Sequence, residues 1–389
     1  MIIHGTGCCL LDALYRADFS GPAFQAALSR REGDGGLTPG RLVFAENFER
    51  FMGKPYEEAL GALIEGKGSD SQNLGGPSVV SLAHVAQVRS GGEVCFFGVR
   101  GNDETGLLVE KALARLPFKK CRLSIREGAT PRTDVLSDPH YDNGHGERTF
   151  INLLGAASRF DPPDLGVSFF EADIVAFGGT ALVPALHDGL TELLKQAKGA
   201  VTVVNLVYDY RSEYAAPGKK WKLGIRDDAY PYIDLLIADR DEVLKTSGQG
   251  SPEEAAAWLL SRGVGAVVIT EGARPIRLTA GKGLFAPREL TAMPVCELIN
   301  QELALHREFP GDTTGCGDNF AGGIIAGIAE QLGSLPRGSL DLREACIPAV
   351  AAGGFACFTV GGTYYESHPG EKQKRLESYI KAYRKQLGG

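Results

Sequence analysis

Pro310 to Gly323 reads P-G-D-T-T-G-C-G-D-N-F-A-G-G, and the choice of fold class turns on it. Gly311, Gly315 and Gly317 surround Asp312 and Asp318, and the chain then continues as F-A-G-G-I-I-A-G-I-A, a helix-like run. Small residues just before a helix let successive backbone N–H groups point outward together. The helix dipole adds roughly half a positive charge at that end, and the two effects make an anion site. Asp318 stands where the helix begins, so a carboxylate lies beside a pocket for anions. A phosphate held by amides next to a base that accepts a hydroxyl proton is the layout of phosphoryl transfer. The plainer alternative is a Gly-rich helix start with Asp318 as a capping residue.

Working outward, the chain alternates strand-like and helix-like segments. Apolar strand-like runs fall at Glu93–Phe97, Ile174–Phe177, Ala200–Val204, Leu235–Ile237 and Val267–Thr270. Helical patterns come between them, at Ala185–Ala197 and at Pro252–Arg262, the latter opened by Ser251 as N-cap with Pro252 at the first helical position. The C-terminal Lys372–Lys385 reads as a surface helix. Such alternation predicts an α/β fold, a doubly wound and mostly parallel sheet. Two segments break it, 19–70 and 122–149, both rich in charge and turn residues. They are expected to pair as a small β-rich lid over the site, within a single domain spanning 1–389.

Composition narrows the function classes. A length of 389 residues with 43% hydrophobic and 23% charged residues is ordinary for a globular protein. A formal net charge of -7, with no basic block, argues against nucleic acid as a partner. No apolar run reaches the roughly 18 residues of a membrane helix, and the first residues read as a core strand rather than a signal sequence. Of the eight cysteines, Cys8 and Cys9 are adjacent and the rest are scattered without a C-x-x-C pair. The expectation is a reduced, cytoplasmic protein with no membrane partner.

The motif D-T-T-G-C-G-D-N-F-A-G-G resembles the C-terminal signature of the PfkB (ribokinase-like) carbohydrate and nucleoside kinases, usually D-T-T-G-A-G-D-x-F. A second signature lies upstream in the family's order: Gly75-Gly76, a helix-like run, the strand-like Glu93–Phe97, then G-V-R-G-N-D-E-T-G from Gly98 to Gly106. Ile2–Asp12 resembles the first strand, ending in the family's substrate-binding Asp. Gly146–Ala157 resembles the stretch where the lid returns. D-R-D-E at Asp239–Glu242 stands where the family has N-x-x-E, and Thr270-Glu271-Gly272 matches its T-x-G. Short matches at Leu37–Glu46, Val204–Tyr210 and Pro231–Leu236 lean toward the adenosine-kinase-like branch.

The resemblance implies a ribokinase-like fold and an ATP-dependent phosphotransferase acting on a primary hydroxyl of a sugar or sugar-like substrate. Asp318 is then the general base, with the amides of Gly315, Cys316 and Gly317 neutralising charge on the transferring group. Asp12, Gly75, Gly76 and Asp103 are the substrate-binding candidates. Asp239, Thr270, Gly272, Gly315 and Gly317 are those for nucleotide. Glu242 is expected to hold Mg²⁺ through water, since Mg²⁺ sheds its waters reluctantly. Asp312 and Thr314 match positions that form a monovalent-cation site in potassium-activated relatives. The lids of relatives sometimes pair between subunits, which leaves a homodimer open. Departures also matter. Val80 stands where the family has a substrate-binding Asn, Pro77 follows Gly76 where phospho-sugar relatives carry Lys, and Asp239 replaces Asn. Val350 falls near the adenine side. A nucleoside kinase, or a catalytically silent ligand-binding regulator on the same fold, are the alternatives.

Overall fold

The computed structural model describes residues 1–388 apart from 32, 90, 145–146, 282 and 306–312. Its strands are β1 (Ile2–Gly7), β2 (Leu10–Arg16), β3 (Leu42–Phe44), β4 (Ser71–Gly75), β5 (Glu93–Arg100), β6 (Lys120–Ile125), β7 (Arg132–Asp138), β8 (Glu147–Leu153), β9 (Ile174–Gly178), β10 (Val201–Asn205), β11 (Leu235–Asp239), β12 (Ala266–Thr270), β13 (Ile276–Ala280) and β14 (Arg288–Met293). The helices that bear on the site are α1 (Pro77–Val88), α2 (Glu104–Leu113), α3 (Arg240–Ser247), α4 (Cys316–Gln331), α5 (Leu342–Ala356) and α6 (Glu371–Gln386).

Nine strands form one sheet in the order β14-β13-β12-β11-β10-β9-β1-β5-β6. Every pairing is parallel except those of β12 with β13 and of β13 with β14. Parallel strands need crossovers that cover both faces, so their residues are apolar on both sides. β5 shows this directly: Phe96 joins the core under α1, α4 and α5, whereas the next residue, Phe97, joins a separate core with Phe169, Leu186 and Leu190. Burying each such ring is worth about 1.5–3 kcal/mol. The fold is the mixed α/β, doubly wound architecture that the alternation predicts.

The chain leaves β1 for β2, reaches β5 on one side of β1, and later fills β9 on the other side. Strand order therefore reverses beside β1, and ligands of open α/β sheets bind at the carboxyl ends of strands at such a point.

Five strands form a second sheet, β3-β8-β7-β2-β4. One face packs on a core of Phe19, Phe24, Leu37, Phe48, Tyr56 and Leu60 with Leu136 and Ile151. Side chains alternate along a strand, so Asn152, beside Ile151, belongs to the opposite face. Register carries that face across the sheet, through Thr133 and Asp12 to Asn73.

Several boundaries differ from the sequence reading. Ile2–Asp12 is not one strand. It ends at Gly7, whose φ of 133° and packing against Gly178 stop the ladder. Asp12 therefore sits inside β2 of the smaller sheet rather than at the carboxyl end of the first strand. Segment 19–70 contributes mostly helix, at Pro22–Ala27, Ala45–Met52 and Tyr56–Leu63, with one three-residue strand. Residues 122–125 belong to β6 of the larger sheet, since β6 finds a free edge on β5. The expected helix Ala185–Ala197 is broken at Gly189 into Pro184–Asp188 and Leu190–Gln196. Finally, α6 is not wholly a surface helix, because Lys372 within it is buried.

Candidate active site

The site is built on the first turn of α4. Gly315 is its N-cap at φ 74°, and a Cβ there would meet Gly362 Cα at 2.4 Å. Only glycine combines that backbone with that approach. Of the next three residues, Cys316 donates its N–H to the Thr313 carbonyl at 3.3 Å, whereas Gly317 and Asp318 carry first-turn N–H groups that have no partner within the helix.

Asp318 hydrogen-bonds with Asn205, the last residue of β10. Its carboxylate keeps some solvent access yet is surrounded by protein, and burial pushes its pKa up to about 7, with the Asn205 bond opposing. A carboxylate poised near neutrality is suited to take a proton. Asp318 and Asp12 both raise the Cys8 thiol, after burial and the neighbouring Cys9, so both carboxylates lie within electrostatic range of the β1–β2 junction.

Asp12 is seated against the glycine pair. A Cβ on Gly75 would lie 2.0 Å from Asp12 Oδ2, and Gly76, at φ 105°, passes the Cys8 carbonyl so closely that a Cβ would stand 2.6 Å from its oxygen. Asp12, Gly75 and Gly76 thus form one wall beside the start of α1. Asp103 stands apart from them. It caps α2, accepting from Gly106 N at 2.8 Å, and accepts from Thr130 N at 2.8 Å and Thr130 Oγ1 at 2.5 Å. Those bonds tie the β5–α2 turn to the segment entering β7 and hold its pKa below the usual carboxylate range against the effect of burial. They support an Asx-type cap rather than a substrate contact.

On the other side, β11 and β12 end together, with Asp239 the register partner of Thr270. Asp239 and Glu242 form a capping box at α3: Glu242 N donates to Asp239 Oδ1 at 2.7 Å, and Asp239 N donates to Glu242 Oε2 at 2.8 Å. An Asn would cap equally well, so the Asp keeps the cap and adds charge. Burial, then the nearby Asp239, raises the Glu242 pKa, and Asp318 adds to the rise. Gly272 follows at φ 56°.

Crowded carboxylates of this kind fit a divalent cation that relieves their repulsion. Among the described residues no three His, Cys, Asp or Glu converge as a cage. Thr314 accepts from Arg148 Nη1 of the smaller sheet at 3.4 Å. Gly311 and Asp312 lie outside the described residues.

Sequence reasoning missed Asn205, Arg148, Asn319 and Lys372. Asn205 had a visible signal, a polar residue closing an apolar strand. Asn319 occupies the variable position of the motif, and Lys372 reaches the site only through tertiary packing. Cys316 Sγ also stands 3.4 Å from Cys357 Sγ, a contact no local pattern announces. Val80 is buried under Gly362, and Val350, a residue of α5, points into the core.

Residues 80–368 match the pfkB family carbohydrate kinase model. The chain belongs to that family. It is 26% identical over 251 residues to a fructokinase of Rhizobium leguminosarum bv. trifolii, covering 63% of this chain and 68% of the relative. It is 23% identical over 248 residues to a fructokinase of Vibrio alginolyticus, covering 64% and 74%. The fold is similar to adenosine kinase from Schistosoma mansoni in complex with 2-fluoroadenosine, at TM-score 0.69 and 18% identity over 94% of this chain and 97% of that one. It is also similar to ribokinase from Thermotoga maritima, at TM-score 0.63 and 17% identity over 98% and 99%.

Proposed function

We propose that this pfkB-family kinase moves the γ-phosphoryl of ATP to a primary hydroxyl of a sugar, with Asp318 as general base. The observation that carries the reading is Asp318 itself, a carboxylate raised to about 7 in the first turn of a helix that opens at Gly315 with no side-chain cap. The substrate hydroxyl gives its proton to an Asp318 carboxylate oxygen as its oxygen attacks phosphorus. The bond from the γ-phosphorus to the bridging oxygen breaks, and ADP leaves. Amides of Cys316 and Gly317 take the charge on the transferring group, while Asp12 and the Gly75–Gly76 backbone orient the sugar.

Mg²⁺, when bound, supplies further neutralisation of the phosphates, and Glu242 with Asp239 would face it. Thr314 and Asp312 remain the proposed place of a monovalent cation such as K⁺. Action on a sugar, in a cytoplasmic setting, is favoured over a nucleoside by the fructokinase relatives and by the apolar Val80. Among the described residues no helix is long and apolar enough to cross a membrane. The lid role of segments 19–70 and 122–149, and pairing into a homodimer, belong to the same reading.

The test is ADP release with ATP and Mg²⁺ against a panel of sugars and nucleosides, with Asp318→Asn as control. A sugar should be the best acceptor and the variant should be inactive. A best acceptor that is a nucleoside overturns the substrate class. Ligand binding without any turnover points instead to a silent regulator.

A further inference from the structure

Lys372 is 1% exposed, in the first turn of α6. Its ammonium nitrogen donates to Asn319 Oδ1 at 2.9 Å and to Gln87 Oε1 at 3.1 Å. α1 supplies Gln87 and His84, the latter kept neutral by burial and by Lys372 beside it, against its own side-chain hydrogen bond with Asn319. α4 supplies Asn319, and α5 packs on α6 through the apolar Ala351 and Phe355. The carboxylate in range is Glu366, which accepts from the Lys372 backbone N–H at 2.8 Å, and burial still outweighs it to bring the Lys372 pKa down to about 7. An amine buried on amide oxygens is costly to keep, so its placement calls for a purpose.

That purpose is legible in Asn319. Its Nδ2 donates to the carbonyls of Gly315 and Gly362, each at 2.9 Å. An Asn amide has one accepting and one donating end, and Lys372 Nζ, which carries hydrogens whether charged or neutral, gives them to the amide oxygens of Asn319 and Gln87. Lys372 therefore dictates that the Asn319 oxygen faces α6 and that its NH₂ faces the two glycine carbonyls. Those carbonyls belong to the N-cap of α4 and to the residue packed on it. Were the amide reversed, oxygen would oppose oxygen at the turn that aims the anion-binding N–H groups.

We propose that Lys372 is a positioning residue for phosphoryl transfer, acting through Asn319 to lock the Gly315 turn so that the first-turn N–H groups of α4, that of Gly317 foremost, meet the transferring phosphoryl. The inference rests on the kinase reading. It gives a role to a residue 54 positions beyond Asp318, outside both signature motifs.

The experiment uses the full chain with ATP, Mg²⁺ and its best acceptor. Lys372→Met should lower kcat about 10- to 100-fold while KM for ATP and acceptor stays within about threefold, and its melting temperature should not fall. Lys374→Met, exposed on the same helix, should change none of these. Asn319→Ala should lower kcat similarly, and the double variant should fall no further than the worse single one, because the two act through one contact. Full additivity, or an unchanged kcat in a folded Lys372→Met, overturns the proposal. Amide hydrogen exchange at residues 315–318 supplies a reading independent of turnover. It should quicken in Lys372→Met, and unchanged exchange also overturns the proposal. A wild-type protein without kinase activity against the panel would sink the kinase reading alone, leaving the exchange result to decide whether Lys372 orders the turn.

Discussion

In the proposed reading Asp318 joins two roles that a sequence reads as competitors, a first-turn helix residue and a base. The same burial that raises its pKa to about 7 tunes it for proton transfer and makes its ionised form costly to the fold. Asp318→Asn keeps the shape but takes no proton, so turnover should drop ~10²–10⁴-fold, with ATP affinity within a few-fold. Steady-state kinetics beside ATP titration checks this. In the unmodified enzyme kcat/KM should rise with pH and level off above about 7, and a flat profile between pH 5 and 8 would remove Asp318 from the role. The stability sign follows from linkage. With its pKa raised in the folded state from 3.8 to about 7, Asp318 favours folding below about pH 4, and that contribution is lost as pH rises through 7. Asp318→Asn should therefore melt higher than wild type at pH 8, with the difference shrinking toward pH 4. Cys316 is a different case. Its backbone N–H, not its thiol, faces the anion in this reading, so Cys316→Ala should keep kcat within about threefold; a loss comparable to that of Asp318→Asn would show that the thiol itself takes part.

At the scale of elements, the sequence announced the large sheet because burial on both faces leaves continuous apolar runs, as in Ile174–Gly178 and Val201–Asn205. It announced α4 because glycine before a helix has few other uses. The smaller sheet was harder to read. β2 follows β1 after two residues, and β3 has three residues, so neither shows a period of its own. Asp103 looked like a ligand because its motif position says nothing of Thr130, which arrives from 27 residues away. Lys372 was hidden for the same reason, since a basic first turn reads as solvated until its neighbours are known. The site-facing side of the smaller sheet carries Asp12 and reaches Thr314 through Arg148. That arrangement motivates a lid movement, since water beside a poised γ-phosphate would waste ATP. Adding acceptor and a nonhydrolysable ATP analogue should slow amide exchange across both 19–70 and the part of 122–149 that follows β6. Slowing confined to α4 and its approach would show that the smaller sheet does not close.

At the scale of the whole molecule, α1, the Gly361–Gly362 turn and the smaller sheet meet, and Val80 stands at that meeting. The sequence alone suggests that Val80→Asn would restore a hydroxyl-binding amide and improve nucleoside use. Packing says otherwise. Val80 is 1% exposed, and a Cβ on Gly362 would meet its Cγ2 at 3.0 Å, so its side chain fills the space between α1 and the turn instead of lining an opening. An amide placed there finds a glycine and loses its water, which costs about 1–3 kcal/mol. Each kcal/mol moves the melting temperature of a domain of about 150–250 residues by about 2–4 °C, and that of this longer chain by somewhat less. Val80→Asn should therefore melt several degrees lower and gain no activity on adenosine. In the unmodified enzyme, a ribose diol held by Asp12 and the glycine backbone without that amide should leave adenosine about ten- to hundred-fold behind the best sugar, at 1.4 kcal/mol per decade. The decisive measurement is kcat/KM for adenosine, ribose and fructose in both proteins, beside their melting curves. Efficient adenosine phosphorylation by the unmodified enzyme would show that another residue of the lid face supplies the missing contact. An unchanged melting temperature in Val80→Asn, joined to a gain on adenosine, would show that position 80 opens onto the substrate after all.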